Sequence, residues 1–101
     1  MIPLDDPRRP MYDEVLKRPA FIRDTLEPLD DLVRSTLPRD TCRRWTCVLL
    51  TGCGDSYYAG LASELAFEMW TGLPVDVQPS LQGGRYAIAS MTPPAVVFSV
   101  S

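Results

Sequence analysis

Leu49-Leu50-Thr51-Gly52-Cys53-Gly54-Asp55-Ser56 joins an apolar run to a glycine turn, and the turn delivers a serine to the start of a long helical pattern. A strand ending in small residues lets backbone N–H groups close around an anion. The helix that follows adds free N–H donors and the positive end of its dipole. A phosphate group is the ligand that such a turn suits. The competing role for Ser56 is structural: its hydroxyl caps the helix and nothing binds. The pattern alone leaves both readings open.

Working outward, Trp45 to Thr51 is apolar without polar alternation. Strands of that kind are buried on both faces and belong to parallel sheets covered by helices. Ser56 to Thr71 reads as a helix with a small-sided stripe of Ala59, Ala62, Ala66 and Met69, widened by Leu61, Leu65 and Trp70, and ended by Gly72 and Pro74. Val75-Asp76-Val77 is a short second strand that Pro79 ends. Residues 80–90, with Gly83-Gly84 and Arg85-Tyr86, read as a turn followed by a short helix or an irregular connection. Ala95 to Val100, behind Pro93-Pro94, is another apolar run and reads as a third buried strand. The order β-α-β-(α)-β predicts an open α/β sheet. If the third strand lies beside the first, opposite the second, a switch point forms between them at their carboxyl ends, where ligands bind in such sheets. Cys53 to Ser56 then meets Ser99-Val100-Ser101, and Ser56, Ser99 and Ser101 become candidate anion donors.

Upstream, residues 1–10 carry three prolines and alternating charges and read as an extended arm. Residues 11–44 form a helical lead-in. A short helix is expected from Met11 to Lys17, with Pro19 in the first turn of the next. Ile22, Leu26, Leu29 and Val33 then share one face. Pro28 predicts a kink or two shorter helices, and the acidic residues around it read as a solvated face. Residues 45–101 carry the α/β part.

Composition narrows the function. A chain of 101 residues with 46% hydrophobic content suits one small domain, or part of one, rather than a disordered tail. A net charge of −3 argues against nonspecific nucleic-acid binding, which needs surplus Lys and Arg. No apolar run approaches the ~20 residues of a membrane span, and the first ten residues do not resemble a signal peptide. Cys42, Cys47 and Cys53 are odd in number, lack CxxC spacing and have no histidine to join them, so no metal is expected and a reducing, cytoplasmic setting fits. Cys53 reads as a small buried residue in preference to a reactive thiol near a helix N-terminus. Gly52-x-Gly54 is not a dinucleotide turn, because Tyr57 stands where a small residue is needed, and the lysine-bearing P-loop is absent. No cofactor is expected.

Together the residues resemble the SIS (sugar isomerase) domain family, in particular the isomerase half of the glucosamine-6-phosphate synthases. Met11-x-x-Glu14 with Pro19-x-x-Ile22-x-x-Thr25-Leu26 is similar to that half's helical lead-in. Gly52-Cys53-Gly54-Asp55-Ser56-Tyr57-x-x-Gly60 resembles its Cys-Gly-Thr-Ser-Tyr turn. Phe67-Glu68 and Gly72-Leu73-Pro74-Val75-Asp76-Val77 look like the helix end and second strand, Arg85-Tyr86 like a later pair, and Ser99-Val100-Ser101 like the start of its Ser-Gln-Ser-Gly-Glu-Thr loop. The resemblance implies a three-layer open parallel sheet with flavodoxin-like strand order, of which the first three strands are present behind an N-terminal helical segment. It implies a phosphosugar site that uses Gly54, Asp55, Ser56, Ser99 and Ser101, no catalytic residue in this stretch, and a homodimer. The implied function is binding of a phosphorylated sugar as part of an isomerase- or aminotransferase-like protein of carbohydrate derivative metabolism, in a truncated chain inactive alone. The alternative is a non-catalytic module that senses sugar phosphate. Asp55 replaces the family's threonine, Val100 replaces its glutamine, and Gln82-Gly83-Gly84-Arg85 is one residue longer and lacks its glutamate.

Overall fold

The computed structural model describes residues 2–101 and divides into two compact units, one ending at Arg39 and the other running from Asp40 to Ser101. In the first unit, α1 (Arg9–Thr36) is a single helix of 28 residues. It begins where Pro10 fills the first turn, and it ends with the Leu37 N–H donating to the Val33 carbonyl at 2.8 Å. Ahead of it, the Asp6 carboxylate accepts hydrogen bonds from the backbone N–H and guanidinium of Arg8, which hold it below the usual carboxylate range. Pro19 and Pro28 lie inside α1 without dividing it, which corrects the expectation of separate helices. A proline removes one hydrogen bond from the ladder, and the bonds on either side carry the helix across the gap. The acidic residues Asp24, Glu27, Asp30 and Asp31 are all exposed.

The single turn α2 (Arg39–Cys42) begins at the last residue of the first unit, and the second unit is built on β1 (Cys47–Gly52). After β1 come α3 (Asp55–Thr71), β2 (Val75–Pro79), a helical run over residues 80–90, and β3 (Ala95–Val100). The strands pair in parallel in the order β2-β1-β3, with Leu50 opposite Val77 on one side and Phe98 on the other. This is the open α/β sheet expected, with the third strand beside the first. Val48 and Leu50 of β1 and Val75 and Val77 of β2 pack under α3 with Tyr57, Phe67, Leu73 and Phe98. Leu49, 1% exposed, faces the other way, toward the side on which the 80–90 helix packs.

Three expectations are corrected. The face that α3 buries is not the alanine stripe: Ala59, Ala62, Leu61, Leu65, Met69 and Trp70 are exposed, whereas Tyr57 and Phe67 reach the core and Gly60 is buried. Gly60 favours this, because a Cβ there would stand 3.0 Å from Val77 Cγ1, tighter than ordinary van der Waals contact, and the bare backbone lets the helix lie close to the sheet. Gly83-Gly84 does not make a turn. It lies in a π-helical turn, Gly83–Ala87, flanked by α4 (Ser80–Gln82) and α5 (Ile88–Ser90), and Gly83 is buried against Thr51. Finally, no residue of β3 is buried, since β3 is an edge strand with a neighbour on one side only.

Leu50→Ala is expected to destabilise the second unit by about 2–5 kcal/mol through loss of buried surface and a residual cavity. A urea titration checks this. A change well under 1 kcal/mol would contradict the packing of Leu50 beneath α3.

Candidate phosphate-binding turn

The turn between β1 and α3 is shaped by two glycines. Gly52 ends β1, and a Cβ there would stand 2.8 Å from both the backbone carbonyl carbon and the Cβ of Ser56, so the first turn of α3 sits directly on the strand end. Gly54 precedes the helix with φ 55° and ψ −126°, a conformation that L side chains rarely adopt. Cys53 lies between them and is exposed, which corrects its reading as a buried residue: the chain has already left the sheet at that point.

Local hydrogen bonds define which donors remain. The Ser56 N–H donates to the Cys53 carbonyl at 3.1 Å, and the Tyr57 and Tyr58 N–H groups donate to the Gly54 carbonyl at 3.0 and 3.3 Å. The Gly54 and Asp55 N–H groups have no acceptor among the described residues. They are the orphan donors that begin a helix, at the positive end of the α3 dipole. No side chain caps the helix, because Gly54 occupies the cap position and Asp55 and Ser56 are already the first helical residues. The capping role considered for Ser56 is therefore not the observed one. Asp55 is exposed and Ser56 half-buried.

Ser99 and Ser101 are exposed, at the carboxyl end of β3 and just beyond it. The register sets Ser99 opposite Thr51 and Val100 opposite Gly52, so the turn and the β3 end share one edge of the sheet. They do not share one face. Strand alternation puts Ser99 on the side of Thr51 and the 80–90 helix, while Ser56 belongs to the helix that covers the opposite side.

Thr51 was not singled out in the sequence. It is 9% exposed, and its hydroxyl has no hydrogen-bond partner among the described residues; a Cβ on Gly83 would lie 2.9 Å from that oxygen. A polar residue closing an otherwise apolar strand was the available signal. A hollow of about 470 Å³ lies elsewhere, between the amino ends of β1 and β2 and the last turn of the 80–90 helix, among Thr46, Cys47, Asp76, Ser90 and Met91. Its one charged lining group is the carboxylate of Asp76, so it does not suit an anion. No cluster of metal-ligating side chains occurs among the described residues.

The sequence is similar to the glutamine–fructose-6-phosphate aminotransferase [isomerizing] of Mycolicibacterium smegmatis, with 33% identity over 73 residues covering 67% of this chain. The enzyme of the same name from Tropheryma whipplei (strain Twist) is 32% identical over 75 residues, and that of Xylella fastidiosa 29% over 97 residues, or 90% of the chain. The match fits the SIS isomerase-domain region of these enzymes. No family model matches the chain, and no solved structure does. This chain spans 12% to 16% of the length of those relatives. The relatives connect it with sugar-phosphate metabolism at the level of the family. Among the described residues, no helix is long and apolar enough to cross a membrane.

Gly52→Ala is expected to cost about 1–3 kcal/mol, because the clash is with backbone that cannot rotate away. Gly54→Ala is expected to cost a similar amount through its backbone conformation alone. Urea unfolding of the two variants measures both, and an unchanged midpoint in either would mean that the turn adopts another geometry.

Proposed function

We propose that this chain forms one wall of a phosphosugar site in an isomerase- or aminotransferase-like protein. The observation that carries the proposal is the pair of unbonded amides, Gly54 and Asp55, at the start of α3, beside the Ser99 to Ser101 end of the neighbouring strand. In this reading the phosphate sits over the shared carboxyl edge of the sheet, where those amides and Ser56 reach it from one face and Ser99 and Ser101 from the strand end beside it. The sheet edge between α3 and the 80–90 helix receives the sugar. The relatives support a hexose phosphate, since their names specify fructose 6-phosphate as the substrate of those enzymes. No residue of this stretch is given a catalytic role. The protein works in the cytoplasm with two partners, a phosphorylated sugar and a second copy of the chain.

Asp55 modifies the affinity. Its carboxylate is exposed and stands at the first position of α3, so bulk water screens its repulsion of a phosphate. Two unit charges ~4 Å apart in water repel by about 1 kcal/mol. Asp55→Thr is therefore expected to tighten fructose 6-phosphate binding by about fivefold. Ser56→Ala together with Ser99→Ala is expected to weaken it by about tenfold or more, since hydrogen bonds to a charged group contribute about 1.5–3 kcal/mol each. Isothermal titration calorimetry with fructose 6-phosphate and glucosamine 6-phosphate tests both. If neither sugar phosphate binds, or the double serine variant binds as well as the parent, the proposal fails.

A sensing role without catalysis is the second reading. It is favoured by the carboxylate of Asp55 at the turn and by Val100 where the family has a polar glutamine. Isomerase turnover by the protein that carries this segment would exclude it.

A further inference from the structure

No residue of α1 is buried, yet the helix carries an apolar seam. Val15, Pro19, Ile22, Leu26, Leu29 and Val33 alternate at spacings of four and three, the a and d positions of a heptad repeat. Exposure along the seam runs from 45% at Val33 to 66% at Leu26. Lys17, Asp24, Glu27, Asp31 and Arg34 occupy the side away from it, as in a helix that pairs along one stripe.

The charges beside the seam identify the occupant. Arg23 and Asp30 follow d positions, and Arg18, Thr25 and Leu32 precede a positions. A parallel pair of such helices would set Arg18 against the partner's Arg23, twice, and like charges facing each other are unfavourable. An antiparallel pair with Leu26 against the partner's Leu29 sets Ile22 against the partner's Val33. The same register brings Arg23 to the partner's Asp30 and Asp30 to the partner's Arg23. The remaining flank pairs Thr25 with the partner's Leu32 and buries no charge. Asp30 can accept the second cation, because its Oδ2 is held by Arg34 Nε at 2.8 Å while its other oxygen remains available. Pro28 lies away from the seam and does not obstruct it.

We propose that α1 is a self-association helix, pairing antiparallel with α1 of a second copy through residues 22–33 and held in register by the two Arg23–Asp30 contacts. The phosphosugar proposal asks only that two copies associate. The helix, orientation and register are new here, and none of these residues belongs to the phosphate-binding turn, so loss of sugar-phosphate binding and loss of α1 pairing are read separately.

Sedimentation equilibrium of the full chain, from micromolar to submillimolar concentration, tests it. Arg23→Asp alone and Asp30→Arg alone each create two like-charge contacts and are expected to raise the dimer dissociation constant about tenfold. Arg23→Asp combined with Asp30→Arg restores opposite charges across the interface and should return to within about threefold of the parent. Within one helix these residues are seven positions apart and do not meet, so rescue arises only through the antiparallel contact. Either single swap without effect, or a double swap no tighter than the singles, overturns the proposal. A chain that stays monomeric throughout, whether or not its α1 amides are protected from hydrogen exchange, overturns it as well.

Discussion

β1 is covered on both faces and paired on both edges, and the second unit depends on that confinement. Val48 and Leu50 point toward α3, Leu49 points to the opposite side, and all three are at most 3% exposed. Burying a side chain of this kind contributes about 1.5–3 kcal/mol. The backbone adds its own demand, because the amides and carbonyls of a buried strand need partners on two sides. β2 and β3 supply them in parallel. Each parallel pairing needs a crossover long enough to return the chain to the same end of the sheet. α3 provides the first crossover and the 80–90 helix the second, so covering layers and strand order follow from the same requirement. The outer strand then carries the cost: β3 has one partner, and none of its residues is buried.

The close seat of α3 on β1 has a chemical consequence. Gly52 and Gly60 are the places where backbone takes the space of a side chain, one at the helix start and the other against Val77. The chain must turn sharply between Gly52 and Asp55, and the positive φ of Gly54 accomplishes this. A turn this tight leaves the Gly54 and Asp55 amides outside the helical ladder and at its positive end. The two free amides arise as a by-product of packing, and unpaired N–H groups at a helix start are of the kind that anions satisfy. Asp55 works against that preference, while its exposure to water limits the penalty.

Apolar surface remains uncovered in both units. α1 shows its seam, and α3 shows Leu65, Met69 and Trp70 on the side away from the sheet. The two surfaces differ in kind. The α1 seam has a regular heptad and complementary flanking charges, which specify a partner and an orientation. The α3 surface has no such code. Surface apolarity alone identifies nothing until charge or spacing restricts what can cover it.

Much of the architecture was legible in the sequence. The run from Trp45 to Thr51 declares a strand buried on both sides because it lacks alternation, and Gly-x-Gly followed by an amphipathic pattern declares the strand-to-helix turn. Both are local signals, set by backbone sterics and by the spacing of apolar residues. Gly54, Asp55 and Ser56 were accordingly placed at the start of the helix, and the strand order brought Ser99 and Ser101 to the same edge. What the sequence could not express was which contacts would compete. The alanine stripe of α3 lost to Tyr57, Gly60 and Phe67, since the approach allowed by a bare Gly60 outweighed the width of an apolar face. Gly83-Gly84 has the form of a turn, yet Gly83 lies within a helix because Thr51 leaves no room for a side chain there. The exposure of Cys53 and the unpartnered hydroxyl of Thr51 likewise depend on neighbours more than 25 residues away or on the exact end of the sheet. Local propensity determined the elements of this protein, and close approach between distant backbones decided which of their faces meet.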